Sequence, residues 1–389
     1  MVAIILVLFL VFPLLSLPLV FMGYLYDQKR IAVYSILLGV IMGLFAYYLQ
    51  PPTDFDLYRH HQLIDEMTTY SGAYFFSTLS STAEPIQSLV NYAVSMTHNH
   101  DLLQFSVVAV GYSILFYILG DFARRNQIKR SSFLLVLLFT LTSFTCVNYF
   151  SGVWNYIAML VFALGFYLDT QRKKSKWITF PLYFITPLIH SGMFFPVVLI
   201  AVFKLFGSKL NVRSISTVLA VFVAPSVLLP LINSLVTIPI FAQLEPMYAA
   251  YFQNGTQFLN LYGGNVMTME LLKSALYIGI GVFLMKSVVG DSMTRLRDFT
   301  LLLALSTLIL VINGVVFLRF VLLVQFIAAP MLMVYLQGKK NIVYYCIVIY
   351  MIVLSGVFLK YQYMTLHGLT FAPLGVNTLL DNIGQIFVK

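Results

Sequence analysis

The stretch Tyr47–Thr69 reads YYLQPPTDFDLYRHHQLIDEMTT, and it interrupts an otherwise apolar chain. Pro51 and Pro52 end the apolar helix before it, because proline cannot continue a helix. Thr53, with Asp56 three residues later, forms a capping-box pattern, which predicts that a new helix begins there. The stretch therefore predicts a polar helix placed directly after an apolar one.

This polar segment holds many of the few ionisable groups of the chain. Only 10% of the residues are charged, yet six of the 14 acidic residues and four of the six histidines lie between Asp54 and Asp101. Helical spacing places Asp56 one turn before His60. The residues that share one helix face are Asp54, Tyr58, His61 and Asp65. Such groups can accept a proton, give one up or bind an anion, whereas the alternative is a solvated loop whose charges only face water.

The composition indicates a polytopic membrane protein. The 389 residues are 60% hydrophobic with a mean hydropathy of +0.90, which is typical of repeated transmembrane helices. We therefore expect an all-α integral membrane protein with a single transmembrane domain over residues 1–389. The apolar runs predict about ten full spans, at 2–24, 31–49, 102–121, 131–149, 152–170, 214–238, 269–287, 299–315, 317–337 and 341–359.

Two further apolar segments do not fit as spans. Glu84–Thr97 is too short to cross a bilayer, so we interpret it as a re-entrant or interfacial helix. Trp177–Phe206 is too long for one helix and is broken by three prolines, so we expect two half-helices that meet near His190. Irregular backbone at membrane depth is tolerated where it lines a wet cavity. Both segments therefore predict a cavity, which faces outward in the orientation derived next.

The basic residues set that orientation. Six turns hold 18 of the 23 lysines and arginines and fall on one side of the predicted topology, which makes that side cytoplasmic. They are the turns with Lys29–Arg30, Arg124–Arg130, Arg172–Lys176, Lys204–Arg213, Lys286–Arg297 and Lys339–Lys340. The positive charge then faces anionic lipid headgroups rather than nucleic acid.

The six histidines and seven of the 14 acidic residues consequently lie on the outer side or in the outer half of the membrane. Two outer loops are expected, one at 50–83 with acidic, histidine and arginine residues and one at 241–265 with many aromatic and amide side chains. The second composition suits stacking on sugar rings, and an interfacial amphipathic helix is the alternative. The short cytoplasmic loops contain no glycine-rich phosphate loop, so ATP bound by this chain cannot drive its chemistry.

Two residues inside apolar runs are candidates for anion binding. Arg319 is costly in lipid, so it either faces a bundle interior with an anionic partner or extends to the outer headgroups. Its guanidinium matches a carboxylate or a phosphate. His190 is either a core histidine with a backbone partner or a group at a helix break, where helix dipoles assist anion binding.

Several short motifs together resemble the EpsG-like and Wzy-type bacterial polysaccharide polymerases, which are similar to glycosyltransferase C enzymes. The motifs occur in order over roughly residues 45 to 335, and they are TDFDLYRHH, EPIQSLVNYAV, SGVWNYIAMLVF, LIHSGMFF and FLRFVLLVQF. One position departs from the pattern. The family often has an arginine where this chain has Trp154, so Arg59 or Arg319 must take the role of that arginine.

The resemblance implies a glycosyltransferase of the bacterial inner membrane that joins oligosaccharide repeat units on undecaprenyl pyrophosphate at the outer face. The expected partners are these lipid-linked glycans, membrane lipids and a chain-length regulator protein, with no nucleic acid. The candidate bases are Asp54, Asp56 and His60, of which Asp56 is favoured because His60 follows it by four residues. The candidate pyrophosphate ligands are Arg319, Arg59 and His190. The candidate glycan contacts are Tyr58, His61, Glu84, Tyr248 and Tyr251. No cofactor is expected; Asp54-Phe55-Asp56 resembles a DxD pair, which alone is weak support for a metal.

Two other classes fit parts of the sequence. A secondary transporter or flippase for a glycan, a lipid or a small anionic solute also places charge in the membrane, but no inverted repeat is visible. A glycan acyltransferase usually receives its thioester from the cytoplasmic side, and the outward placement of the histidines opposes it.

Overall fold

The computed structural model describes residues 2–51, 53, 56–144, 152–207, 255–285, 290–312, 314–338, 342–367 and 370–371. Within these ranges the chain is almost entirely α-helical. The helices are α1 Val2–Val11, α2 Leu17–Tyr26, α3 Ile31–Tyr47, α4 Asp56–Met67, α5 Gly72–Leu79, α6 Pro85–Ser95, α7 Asp101–Arg125, α8 Arg130–Ser143, α9 Val153–Thr170, α10 Lys176–Ile189, α11 Phe194–Leu205, α12 Gly255–Met285, α13 Asp291–Ile309, α14 Gly314–Gln337 and α15 Ile342–His367. Short 3₁₀ turns occupy Gln28–Arg30, Ser191–Met193 and Leu310–Ile312.

Four of these helices are long and apolar enough to cross a membrane by length and composition, which suggests a membrane protein, and the all-α fold is confirmed. They are Asp101–Arg125, Val153–Thr170, Val316–Gln337 and Ile342–Lys360. Shorter apolar helices of 10–17 residues accompany them. Ten full spans are not confirmed in the part of the chain that the structure describes, and the predicted span at 214–238 lies outside it.

The first predicted span is wrong as a single helix. Residues 2–24 form α1 and α2, which are separated around Pro13. Proline lacks the N–H that would continue the hydrogen-bond ladder of the helix. In the turn that follows, the Ser16 hydroxyl donates to the Pro13 carbonyl at 2.7 Å. The segment at 50–83 is also more regular than a loop, since it contains α4 and α5. Of the predicted loop at 241–265, the part from Gly255 onward belongs to α12.

The chain divides into two compact units. The first comprises Met1–Leu164, Leu188–His190 and Val348–Lys389, and the second comprises Gly165–Pro187 and Ser191–Ile347. In the first unit the strands Leu49–Gln50 and Thr370–Phe371 pair antiparallel, with Leu49 opposite Phe371.

Close packing of α3 against α7 forms the centre of the first unit. Gly39 and Gly43 of α3 face α7, and a Cβ at Gly39 would collide with the backbone of Ala109 and Ser113. A Cβ at Gly43 would lie 2.7 Å from the Phe105 carbonyl oxygen. Small residues four apart let two helix backbones approach closely, as in other membrane helix pairs. Residues 48–100 connect α3 to α7, so this contact fixes both ends of that segment.

The break predicted near His190 is confirmed. Helix α10 ends at Ile189, a 3₁₀ turn follows, and α11 begins at Phe194. The short helix predicted within Glu84–Thr97 is present as α6, with Pro85 in its first turn. Both features place polar side chains at helix termini, where backbone groups lack partners within the helix.

Candidate functional site

Helix α4 positions two neighbouring histidines in different surroundings. Leu57, His61 and Ile64 are buried on one face, at spacings of four and three residues. His60 lies about 100° around the helix from His61, because an α-helix has 3.6 residues per turn. The two rings therefore belong to two separate polar clusters.

His60 lies in the first cluster, which we call the His60 cluster and define as His60, Glu84, Trp154 and His190. The His60 ring meets the Trp154 ring edge-on, with 6.3 Å between the ring centroids. Burial, helped by the charges of Arg59 and His190 and opposed by that of Glu84, lowers the pKa of His60 to about 4. The imidazole is therefore neutral at pH 7.

Glu84 and His190 form a polar pair beside His60. Glu84 Oε1 lies 2.9 Å from His190 Nδ1, and the two side chains are 19% and 15% exposed. Glu84 precedes α6, and His190 occupies the break between α10 and α11. The pair thus joins the two irregular segments that the sequence singled out. A half-buried carboxylate next to an imidazole can accept a proton and pass it on.

Among the buried polar groups of this unit, two lack a hydrogen-bond partner among the described residues and belong to the motifs of the sequence. Trp154 Nε1 is one, and the Asn91 side chain, which is fully buried in α6, leaves both its amide nitrogen and its oxygen unpaired. A buried polar group without a partner costs about 1–3 kcal/mol. Trp154 occupies the position where the polymerase-like pattern often has an arginine, and its indole N–H can donate to a hydroxyl of a bound molecule.

His61 lies in the second cluster, which we call the His61 network. His61 Nε2 lies 2.7 Å from Gln104 Oε1, and Gln104 Nε2 donates at 2.9 Å to the carbonyls of Ala46 and Leu49. Those two carbonyls orient the amide, so His61 Nε2 carries the proton. Burial and the nearby His100 lower the pKa of His61 to about 4. The network joins α4 to α7 and to the end of α3.

The His61 network also contains a group that could hold a metal ion. Ligand atoms of His61, His100 and Asp101 lie within 4.8 Å of one another, and His100 Nδ1 is 2.9 Å from Asp65 Oδ1. A carboxylate behind a histidine is a usual outer contact of metal sites. However, the His61 and His100 rings are stacked, with their centroids 4.2 Å apart and an angle of 22° between their planes. His61 Nε2 is already hydrogen-bonded to Gln104. Face-to-face rings do not point their lone pairs at one ion, so the geometry fits a structural network better.

Asp56 pairs with Arg59 rather than with His60. The Asp56 carboxylate accepts a hydrogen bond from the Arg59 guanidinium, and both side chains are substantially exposed. The charges that act on His60 come from Arg59, Glu84 and His190. The i, i+4 arrangement expected from the sequence is therefore replaced by an i, i+3 ion pair on the helix surface.

The second unit holds the predicted arginine and a buried ion pair. Arg319 is half-buried in α14. In α12, Lys273 Nζ lies 2.6 Å from Glu270 Oε2, and Lys273 is fully buried. An ion pair one helical turn apart in an apolar helix shields both charges from lipid.

The remaining predicted residues contribute less. Tyr58 is half-buried on α4. The predicted roles of Asp54, Tyr248 and Tyr251 concern positions outside the described residues. Sequence reasoning did not single out Gln104, although an amide inside the apolar run 102–121 is a signal that would have found it.

Comparison with known proteins gives no further assignment. No protein family, curated protein or solved structure matches the chain.

Proposed function

We propose that this chain is a membrane glycosyltransferase that joins lipid-linked oligosaccharide repeat units into a surface polysaccharide. The observation that carries the proposal is the His60 cluster. It brings together a half-buried carboxylate, two imidazoles and an indole from four separated segments of the chain. All four segments also carry motifs of the polymerase-like pattern.

In the proposed reaction, Glu84 acts as the general base. It takes the proton from a hydroxyl at the non-reducing end of the acceptor unit, while the new bond forms between that oxygen and the anomeric carbon of the donor. The bond from that carbon to pyrophosphate breaks, and the pyrophosphate leaves as an anion on its undecaprenyl carrier. His190 orients Glu84 from 2.9 Å, and neutral His60 accepts a hydrogen bond from the sugar.

The leaving pyrophosphate needs positive charge. Arg59 is mostly exposed, and its charge is close enough to lower the pKa of His60. Its guanidinium can therefore bind an anion near this cluster. Arg319 remains the second candidate, because a guanidinium offers two parallel donors to phosphate oxygens. In this proposal the chain works in the bacterial inner membrane with its site on the outer face, and a chain-length regulator is a further partner.

The proposal is tested with the purified full-length chain in nanodiscs and undecaprenyl-pyrophosphate-linked repeat units. We expect a ladder of products that grow by whole repeat units, resolved on a gel. In a parallel experiment, the gene is deleted and the surface glycan is analysed on a gel. Single-unit glycan should persist while the ladder of longer chains is lost. Absence of polymer from verified substrates, together with an unchanged surface ladder after deletion, would reject the proposal.

The buried Glu270–Lys273 pair favours one other function, a secondary transporter. Ionisable residues inside membrane helices often mark ion or substrate pathways. A transporter would carry the labelled glycan lipid or solute across a vesicle membrane without forming longer chains. Uptake by proteoliposomes without polymer formation would therefore select this function.

A further inference from the structure

A cavity of about 570 Å³ is lined wholly by residues of the second unit, none of which belongs to the His60 cluster or the His61 network. It is lined by α9, α10, α11 and the first turns of α13. Most of the lining side chains are apolar, and the charged ones are Asp169, Lys176, Lys204 and Arg295. The cavity is thus amphipathic.

The charged groups lie at one end of the lining helices. Asp169 is next to the last residue of α9, Lys204 is next to the last residue of α11, and Lys176 is the first residue of α10. Arg295 lies in the second turn of α13. Apolar side chains follow within each helix: Phe184, for example, lies eight residues, or roughly 12 Å, beyond Lys176 along α10. The cavity therefore passes from a charged mouth to an apolar interior.

One cation is held in place by the protein itself. Lys204 Nζ lies 2.5 Å from Asp169 Oδ2, and the Tyr183 hydroxyl donates to the same oxygen at 3.1 Å. Lys204 Nζ also lies 4.9 Å from the ring centroids of Phe180 and Tyr183. Its position at the mouth is therefore fixed.

The other two cations are exposed. Lys176 and Arg295 have no ion pair among the described residues, and both lie at the surface. With three cations and one carboxylate, the mouth carries a net charge of +2. The neighbouring Phe180 and Phe184 are 40% and 65% exposed, so apolar surface is open next to this charge. A ligand that fits must be anionic at one end and apolar at the other.

We propose that this cavity binds a phospholipid with an anionic headgroup. The headgroup phosphate contacts Arg295 and Lys176, whose donors match phosphate oxygens, and an acyl chain covers Phe180 and Phe184. Basic pockets between membrane helices bind anionic headgroups in this way. A free phosphate satisfies only the mouth, because it leaves the apolar interior uncovered.

The test measures lipid retention by native mass spectrometry on the detergent-purified full-length chain, offered equal amounts of phosphatidylglycerol and phosphatidylcholine. We expect a preference for phosphatidylglycerol. Replacing Lys176 and Arg295 together by alanine should weaken its binding roughly 25-fold, since each cation near a lipid headgroup contributes roughly fivefold. Both side chains are exposed, so the change spares the core.

Lys173 and Lys174 provide the matched control. They lie in the same basic turn and are exposed, but they do not line the cavity. Their double alanine variant removes the same charge and should retain the lipid. Equal loss in the two double variants would overturn the proposal, since it would show only a general attraction to positive charge.

A third variant examines the apolar interior. Phe184→Ser should weaken binding of phosphatidylglycerol but not of its soluble headgroup, glycerol phosphate. If glycerol phosphate displaces the lipid at equal concentration, and Phe184→Ser has no effect, the site is an anion site and the lipid proposal is wrong.

Discussion

His60 and His61 are adjacent in the chain, yet their surroundings differ in one decisive respect. The hydrogen bonds of the His61 network close on the protein itself, through Gln104 and two backbone carbonyls. His60 instead lies beside a half-buried Glu84–His190 pair and an indole N–H that has no hydrogen-bond partner among the described residues. Burial lowers the pKa of both histidines to about 4, so the pKa alone does not distinguish the two. The two histidines differ in whether a hydrogen-bonding group beside them remains available to a ligand.

The largest effect should follow from changing Glu84. Glu84→Gln keeps the shape and removes the proton acceptor, so polymerising activity should fall about 10²–10⁴-fold, the usual contribution of a general base. Product formation per folded protein measures this. Glu66→Gln is the matched control, because Glu66 is exposed and its carboxylate accepts a hydrogen bond from the nearby Tyr70 hydroxyl.

Asp56 offers a direct contrast to Glu84. Its pairing with Arg59 on the surface predicts that Asp56→Asn lowers activity less than Glu84→Gln does, because exposed ion pairs contribute little. If Asp56→Asn abolishes activity while Glu84→Gln retains it, the base assigned to the His60 cluster is incorrect and the original preference for Asp56 stands.

A smaller effect, on stability instead of activity, is expected at Gln104. Gln104→Leu removes the hydrogen-bond partner of His61 Nε2 and the amide donor to the Ala46 and Leu49 carbonyls, which should lower the free energy of unfolding by about 1–3 kcal/mol. Denaturant unfolding in detergent measures the change, and Gln62→Leu on the exposed surface of α4 is the control. Activity per folded molecule should remain. A large loss of activity without a loss of stability would place the His61 network in the chemistry.

The expected effect of changing Arg319 is the next in size. If its guanidinium binds pyrophosphate, Arg319→Lys should reduce the rate about tenfold, because lysine lacks two parallel donors. If it only extends to headgroups, lysine should serve equally well. Rates from purified variants at matched protein amounts decide between these, and an unchanged rate would assign the leaving group to Arg59 or Lys273.

The stability of the folded chain should also depend on pH. The unfolded chain binds protons at the two histidines from about pH 6.5 downward, whereas the folded chain binds them near pH 4. Stability should therefore decrease as the pH falls from 6.5 to 4 and lose nothing further from these groups below 4. The slope is at most about 1.4 kcal/mol per pH unit for each histidine. Unfolding of His60→Gln and His61→Gln across this range should show a shallower slope than the parent, and equal slopes would contradict the expected pKa values.

Sequence reasoning succeeded where local chemistry decides the structure. The length and prolines of Trp177–Phe206 and the short length of Glu84–Thr97 were enough to predict a break at His190 and a separate α6, although Pro181 and Pro187 lie inside α10 and not at the break. Pro13 carried the same kind of signal, but the uniformly apolar run around it led to a single span being expected. The contact of Glu84 with His190 joins residues 106 positions apart, which no local pattern specifies. The Asp56–His60 pairing failed because Arg59 carries a full charge and competes for the same carboxylate.

The tight crossing of α3 and α7 at Gly39 and Gly43 has a consequence for how such a chain can evolve. The crossing closes residues 48–100 into an excursion whose two ends are held together by the helix pair. Loop-closure entropy rises only slowly with length, so this excursion can lengthen, shorten or be exchanged with little change to the scaffold. His60 and Glu84 both lie within it. We therefore expect chimaeras that swap this segment to retain the scaffold and to acquire the sugar preference of the donor.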